Sequence, residues 1–349
     1  MKVLVSALEP SSNLHLRELL KHINSDEIEI VGIFDKNLGT PIYDISEMAI
    51  MGVVDAIKKL RWFFKVADEM VALAKGCDKV LLMDSSGFNL PLAKKLKKAY
   101  PNLEIIYYIL PQVWVTRAKR VAKLELYCDK LLGILPFEIE MYKNHKALYV
   151  GHPLLDEIHS TRNEIVKNKI SFLAGSRASE ISRLMPVFRE VINSLPNIKP
   201  TLVIPSSFSD EKIAKLYGDI SGFEISRDTH QALRSSEFAF ICSGTATLEA
   251  ALIGTPFVLV YKAKAIDFFI ATKIFGIKQI GLANIILGKH NGTLLHEEIA
   301  QDDVTAPNLI QAYHKTNMDK FSQNAKILRD YLSHGSSKNV AKIIMLQKS

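Results

Sequence analysis

At 349 residues the chain exceeds one ordinary hydrophobic core and fits two α/β domains. Its 48% hydrophobic and 23% charged residues exclude a disordered chain, and a formal net charge of +7 calls for an anionic partner: nucleic acid, an acidic membrane or a phosphorylated substrate. Three scattered cysteines, Cys77, Cys128 and Cys242, exclude a disulfide framework and a structural zinc site, and they fit a reducing cytosol.

The opening residues are too short an apolar run for a signal peptide and read as a strand over 2–6. Strand-like runs follow at 29–34, 79–83, 104–109 and 130–134. A polar, charged connection at about 155–168 leads to a second series at 169–173, 201–204, 238–242 and 257–261. Helical patterns lie between the runs, and this alternation predicts parallel βαβ units. The clearest helix, over 178–195, puts Ile181, Leu184, Met185, Phe188, Val191, Ile192 and Leu195 on one face. A last helix spans about 317–346. The predicted organisation is a domain over 1–160, a second over 161–325, and a terminal helix over 326–349 that packs back across domains. The stretch 238–261 has one charge, Glu249, but Ser243-Gly244-Thr245 and Gly254-Thr255-Pro256 divide it into strand, helix and strand, so no transmembrane helix is predicted.

In doubly wound domains ligands bind beyond the carboxyl ends of the strands. Gly175-Ser176-Arg177 follows one such strand and opens the helix over 178–195. Free N–H groups there would bind an anion, with Arg177 as a bidentate ligand; a surface turn fits equally. Ser243-Gly244-Thr245 opens another helix in the same way, with Glu249 one turn in, able to accept both ribose hydroxyls of a nucleotide. An unpartnered carboxylate among such apolar neighbours would be costly, which favours function. Asp84, at the end of the strand over 79–83, fits a general base or a turn cap, and Glu9 follows the first strand in the same way. His152, in Gly151-His152-Pro153, sits near the predicted hinge and fits nucleotide contact or packing. The stretch 47–70 interleaves bulky apolar residues with Lys58, Lys59, Arg61 and Lys65, which suits either a membrane interface or a core helix with a charged edge; 262–278 is similar. No GxGxxG follows the first strand, no GxxxxGK[ST] is present, and no acidic pair for a metal-bound nucleotide ends a strand.

Taken in order, these runs resemble the lipid-A-disaccharide synthase family. They include Glu47-Met48-Ala49-Ile50-Met51-Gly52, Met83-Asp84-Ser85-Ser86-Gly87-Phe88-Asn89, Leu110-Pro111-Gln112-Val113-Trp114, Leu135-Pro136-Phe137-Glu138, Gly151-His152-Pro153, Gly175-Ser176-Arg177 and Ser243-Gly244-Thr245-Ala246-Thr247-Leu248-Glu249. The resemblance implies an inverting glycosyltransferase of the GT-B architecture: two facing Rossmann-like α/β domains with doubly wound parallel sheets. It would join UDP-2,3-diacylglucosamine to 2,3-diacylglucosamine 1-phosphate through a β-1,6 bond and release UDP, without metal or other cofactor. It further implies Asp84 as base, Arg177 on the diphosphate, Glu249 on the ribose, Asn284 near the donor and Glu9 as a second acidic group. The expected setting is the cytoplasmic face of the cell membrane, with UDP-linked acylated sugar and acylated sugar phosphate as partners, a homodimer, and no nucleic acid. A UDP-sugar 2-epimerase, another UDP-GlcNAc-type transferase and a non-catalytic nucleotide-sugar binder remain open alternatives. The chain departs from the family pattern at Leu8-Glu9-Pro10-Ser11-Ser12-Asn13, and at Gly87, Thr116, Ala174, Ala283 and His296.

Overall fold

The computed structural model describes residues 1–45, 56–112, 119–144, 146–162, 164–262 and 279–346. The chain divides into two compact units, Met1–Glu157 with Leu332–Ser349, and Ile158–Tyr331.

The first unit holds strands β1 (Lys2–Ala7), β2 (Glu29–Phe34), β3 (Tyr43–Asp44), β4 (Lys79–Met83), β5 (Glu104–Tyr108), β6 (Lys130–Gly133) and β7 (Ala147–Tyr149). They form a parallel sheet in the order β3-β2-β1-β4-β5-β6-β7. Both faces are covered, so the central strands are mostly apolar and their side chains alternate between two cores. Leu4, Val80, Leu82, Ile105 and Tyr107 face one way, with Val66 and Met70 of the helix Ala56–Leu73 and Leu92 and Leu96 of the helix Ser86–Ala99. Val3, Val5, Leu81, Met83, Ile106 and Tyr108 face the other, with Leu16 and Leu19 of the helix Pro10–Leu20. The helix Ser336–Met345 completes that second core with Val340, Ala341 and Ile344.

The second unit holds β8 (Val166–Leu173), β9 (Lys199–Val203), β10 (Glu224–Ser226), β11 (Ser236–Cys242), β12 (Phe257–Tyr261) and β13 (Glu297–Ala300). Its parallel order is β10-β9-β8-β11-β12-β13. The helix Ala178–Ser194 buries Ile181, Leu184, Met185, Phe188 and Val191, and Phe188 meets Phe172 of β8 at 5.2 Å between ring centroids.

Each order is that of the dinucleotide-binding α/β fold, with its reversal between β1 and β4 in one unit and between β8 and β11 in the other. Two differences from the sequence reading stand out. The helix over 317–346 is two helices, Met318–Leu332 and Ser336–Met345, parted where Ser333 takes φ 40° and Gly335 φ 92°. From Trp62 onward the apolar-basic stretch is a core helix: Val66, Ala67 and Met70 are buried, and Phe64 is the exposed exception, with the Lys95 ammonium 5.5 Å from its ring centre. Residues 47–55 of that stretch, the run from 263 to 278, and Val113, Trp114 and Thr116 lie outside the described residues. Among the described residues no helix is long and apolar enough to cross a membrane.

Candidate active site

In the first unit Glu9 and Asp84 stand at the carboxyl ends of the two strands that flank the reversal. Glu9 begins the helix Pro10–Leu20 without turning its carboxylate back onto the helix, and it accepts a hydrogen bond from Ser85 Oγ at 3.1 Å. Asp84 and Ser85 both adopt left-handed backbone, φ 48° and 37°. Two such non-glycine residues in a row are strained and persist only where neighbours fix them. The neighbours are visible. The Asp84 N–H donates to the Tyr108 carbonyl at 3.0 Å, and the Asp84 carbonyl accepts from the Asn89 amide at 3.0 Å and from the Tyr107 hydroxyl. Asn89 is fully buried, gives a further bond to the Met83 carbonyl at 2.9 Å, and accepts from Ser6 Oγ at 2.7 Å. Asn89 is thus the clamp of the Asp84 turn. Arg120 donates to Ser86, one residue further on.

The Asp84 carboxyl is raised above its ordinary range, chiefly by burial and further by the Glu9 charge, while the Ser85 N–H and His15 pull it back. A raised proton affinity is what a general base needs. His152 belongs to the packing instead: it is buried, its Nδ1 accepts the Leu154 N–H at 3.3 Å, and burial lowers its pKa to about 3.

In the second unit the corresponding ends of β8 and β11 carry Gly175-Ser176-Arg177 and Ser243-Gly244-Thr245. Gly175 takes φ 91°, and a Cβ there would lie 2.5 Å from Glu180 Oε2 and 3.0 Å from Cys242 Sγ, so the position needs glycine. The sequence reading expects free N–H groups at this helix start. The structure gives them to Glu180: its Oε2 accepts from the Ser176 and Arg177 N–H groups at 3.3 and 3.2 Å, and its Oε1 holds Arg177 Nη1 at 2.7 Å. The signal lay in the spacing, for Glu180 is the third residue after the Arg177 cap, the register of a capping box. Arg177 itself remains 78% exposed, so its guanidinium is oriented from behind and open in front.

Glu180→Ala should therefore release Arg177 and raise the KM for a UDP-sugar about tenfold, with kcat changed far less. Steady-state kinetics that leave KM unchanged would contradict this.

At the second helix start, Gly244 (φ 153°) begins the helix Thr245–Ile253, and no side chain caps it. The Thr247 N–H bonds the Gly244 carbonyl at 3.2 Å, and the positive end of the helix dipole lies at this start. Glu249 follows one turn in, with its carboxylate 19% exposed and Oε2 3.5 Å from His230 Nε2. His230 was missed in the sequence, since a lone histidine beside an edge strand carries no pattern.

Asn284 is 1% exposed, and its amide is spent within the unit. Nδ2 donates to the His296 carbonyl and Glu298 Oε1, while Oδ1 accepts the N–H groups of Leu295 and His296. Glu298 in turn accepts from the N–H groups of Ile280 and Gly281. Asn284 pins the loop that follows the helix Leu282–Asn291 and, through Glu298, the residues before it, rather than presenting its own amide. Among the described residues no three His, Cys, Asp or Glu side chains are grouped to hold a metal ion.

The family model described as lipid-A-disaccharide synthetase matches residues 3–346. The chain belongs to the lipid-A-disaccharide synthase family. It is 47% identical to the lipid-A-disaccharide synthase of Helicobacter pylori strain G27, over 97% of this chain and 96% of that one. It is 45% identical to that of Campylobacter jejuni strain RM1221, over 98% of each. A solved UDP-GlcNAc 2-epimerase from Neisseria meningitidis, bound to UDP-GlcNAc, shares the fold with a TM-score of 0.62 at 11% identity, over 99% of this chain and all of that one. As a member of the lipid-A-disaccharide synthase family the chain is a hexosyltransferase of lipid A biosynthesis with the GT-B fold.

Proposed function

We propose that the chain transfers a 2,3-diacylglucosaminyl group from UDP to the 6-hydroxyl of 2,3-diacylglucosamine 1-phosphate, with Asp84 as the base. The observation that carries this reading is the Asp84 turn: strained backbone, held by three buried partners, at the end of a strand beside the sheet reversal. Asp84 takes the proton of the acceptor hydroxyl as its oxygen attacks the anomeric carbon, and the bond from that carbon to the UDP oxygen breaks with inversion. Arg177 and the uncapped start of the helix Thr245–Ile253 meet the charge that develops on the leaving diphosphate. Glu249 accepts the ribose hydroxyls. Glu9 bonds Ser85 and, as a second carboxylate, raises the proton affinity of Asp84. Asn284 acts through the loop it shapes.

Both proposed lipid substrates carry phosphate, and the net charge of +7 favours them and the anionic cytoplasmic face of the membrane from which they would be drawn. The test is a transfer assay with the two acylated sugars and a chelator present. Disaccharide and UDP should form in equal amounts, and only with both substrates. UDP release without the acceptor, or an isomerised UDP-sugar as product, would overturn the reading.

A further inference from the structure

Both proposed ligand-facing groups of the second unit are paired with a titratable residue that can carry the opposite charge. For Arg177 the partner is Glu180, on the same helix. For Glu249 it is His230, brought from the separate helix Thr229–Ser235 that follows β10. The Glu249 helix carries no other charged side chain: its remaining residues are Thr245, Ala246, Thr247, Leu248, Ala250, Ala251, Leu252 and Ile253. A carboxylate on a glutamate stem has three rotatable bonds. Without a second contact it would sample several rotamers and have to lose that freedom on binding.

We infer that His230 is a positioning residue of the nucleotide site, holding Glu249 by one oxygen so that the other faces a nucleoside diphosphate's ribose. The inference rests on the reading of Glu249 given above. His230 Nε2 meets Glu249 Oε2 at 3.5 Å, which leaves Oε1 to accept a hydroxyl. The two side chains are 31% and 19% exposed, so the pair is partly sheltered yet reachable.

The pairing also makes nucleotide affinity depend on pH. Three charged groups face His230: Glu249 across the pair, Asp228 at the start of its own helix, and Arg234 one turn on. The Glu249 bond and charge raise the His230 pKa above its ordinary value, Asp228 adds to this, and burial and Arg234 oppose it. The imidazolium is the form that pairs with the Glu249 carboxylate as an ion across 3.5 Å and adds positive charge beside an anionic ligand. Affinity for UDP should therefore be higher below the raised His230 pKa and fall as pH rises through it.

The experiment is calorimetric titration of the full chain with UDP from about pH 6 to about pH 8.5, for the parent, His230→Gln and His230→Ala. The parent's Kd should rise across this range. His230→Ala should bind UDP about tenfold more weakly at the acidic end, the cost of losing the ion pair that orders Glu249. His230→Gln keeps an N–H donor without a titrating proton, so it should recover part of that affinity and lose the pH dependence. In the double variant with Glu249→Gln, His230→Ala should have no further effect. UDP binding by both single variants with the parent's affinity and pH profile would overturn the inference while leaving the nucleotide site standing. If the parent itself binds no UDP, the functional reading falls and the inference with it.

Discussion

Asp84→Asn should lower kcat by about 10²–10⁴-fold, the usual contribution of a positioned base, while leaving UDP affinity unchanged and the protein no less stable. The stability half follows from the sign of the pKa shift. The folded state raises the Asp84 pKa, so it holds the proton more tightly than the unfolded chain does. Ionisation at neutral pH then costs stability, through burial and the Glu9 charge. The stabilising contribution of the neutral form is present below the unfolded pKa and lost as pH rises through the folded one. Asparagine has the same shape and no charge, so it removes this cost. The clamp bonds involve the Asp84 backbone, not its carboxylate, and survive the change. Loss of turnover with an unchanged or higher Tm marks a group kept for chemistry at the expense of stability. A variant that lost activity and unfolded together would show a structural role instead. The pH–rate profile of the parent should fall on the acid side through a pKa above the ordinary aspartate value.

Much of this arrangement was legible in the sequence, and the misses have physical causes. The nine predicted strands are all present, because a parallel strand covered on both faces is apolar over most of its length. The four that periodicity did not mark, β3, β7, β10 and β13, are the outermost strands of the two sheets. They have two to four residues and are partly exposed, Tyr43-Asp44 and Glu224-Ile225-Ser226 among them, so no apolar run announces them. The residues at 84, 175–177 and 243–245 were legible as turns because a carboxylate or small residues after an apolar run end a strand, although a turn cap or a surface turn fits the same residues as a ligand site does. What lies one layer behind them was not. Asn89 sits in a quoted motif, yet nothing in the chain order says that its amide closes on the carbonyls of Met83 and Asp84. His230 and Glu249 are 19 positions apart, and only the order of the strands makes them neighbours.

Lys79→Met should destabilise the first unit by about 3–5 kcal/mol, the typical cost of breaking a buried ion pair on one side. Lys79 begins β4 and Glu104 begins β5, paired directly across the sheet, and their side chains are 5% and 7% exposed. Lys79 Nζ lies 3.0 Å from Glu104 Oε2, and Lys130 of β6 holds Glu104 Oε1 at 2.9 Å. Lys79 also donates to the carbonyl of Leu346, so the same ammonium ties down the end of the terminal helix Ser336–Met345. Replacing both buried members, Lys79→Met with Glu104→Leu, removes the buried carboxylate that Lys130 alone would be left to balance and should cost much less than Lys79→Met alone, because Lys130 is 29% exposed and can return to water. Trp62 lies in the helix Ala56–Leu73 of the first unit, so urea unfolding followed by tryptophan fluorescence reports on that unit. Burial acts against the charged form of Glu104, yet the two lysines outweigh it and lower its pKa. The stabilisation is therefore present above the ordinary glutamate pKa and lost as pH falls through the lowered one, so the gap between parent and Lys79→Met should narrow in acid. A single variant no less stable than the double would show that packing rather than charge holds this corner of the sheet.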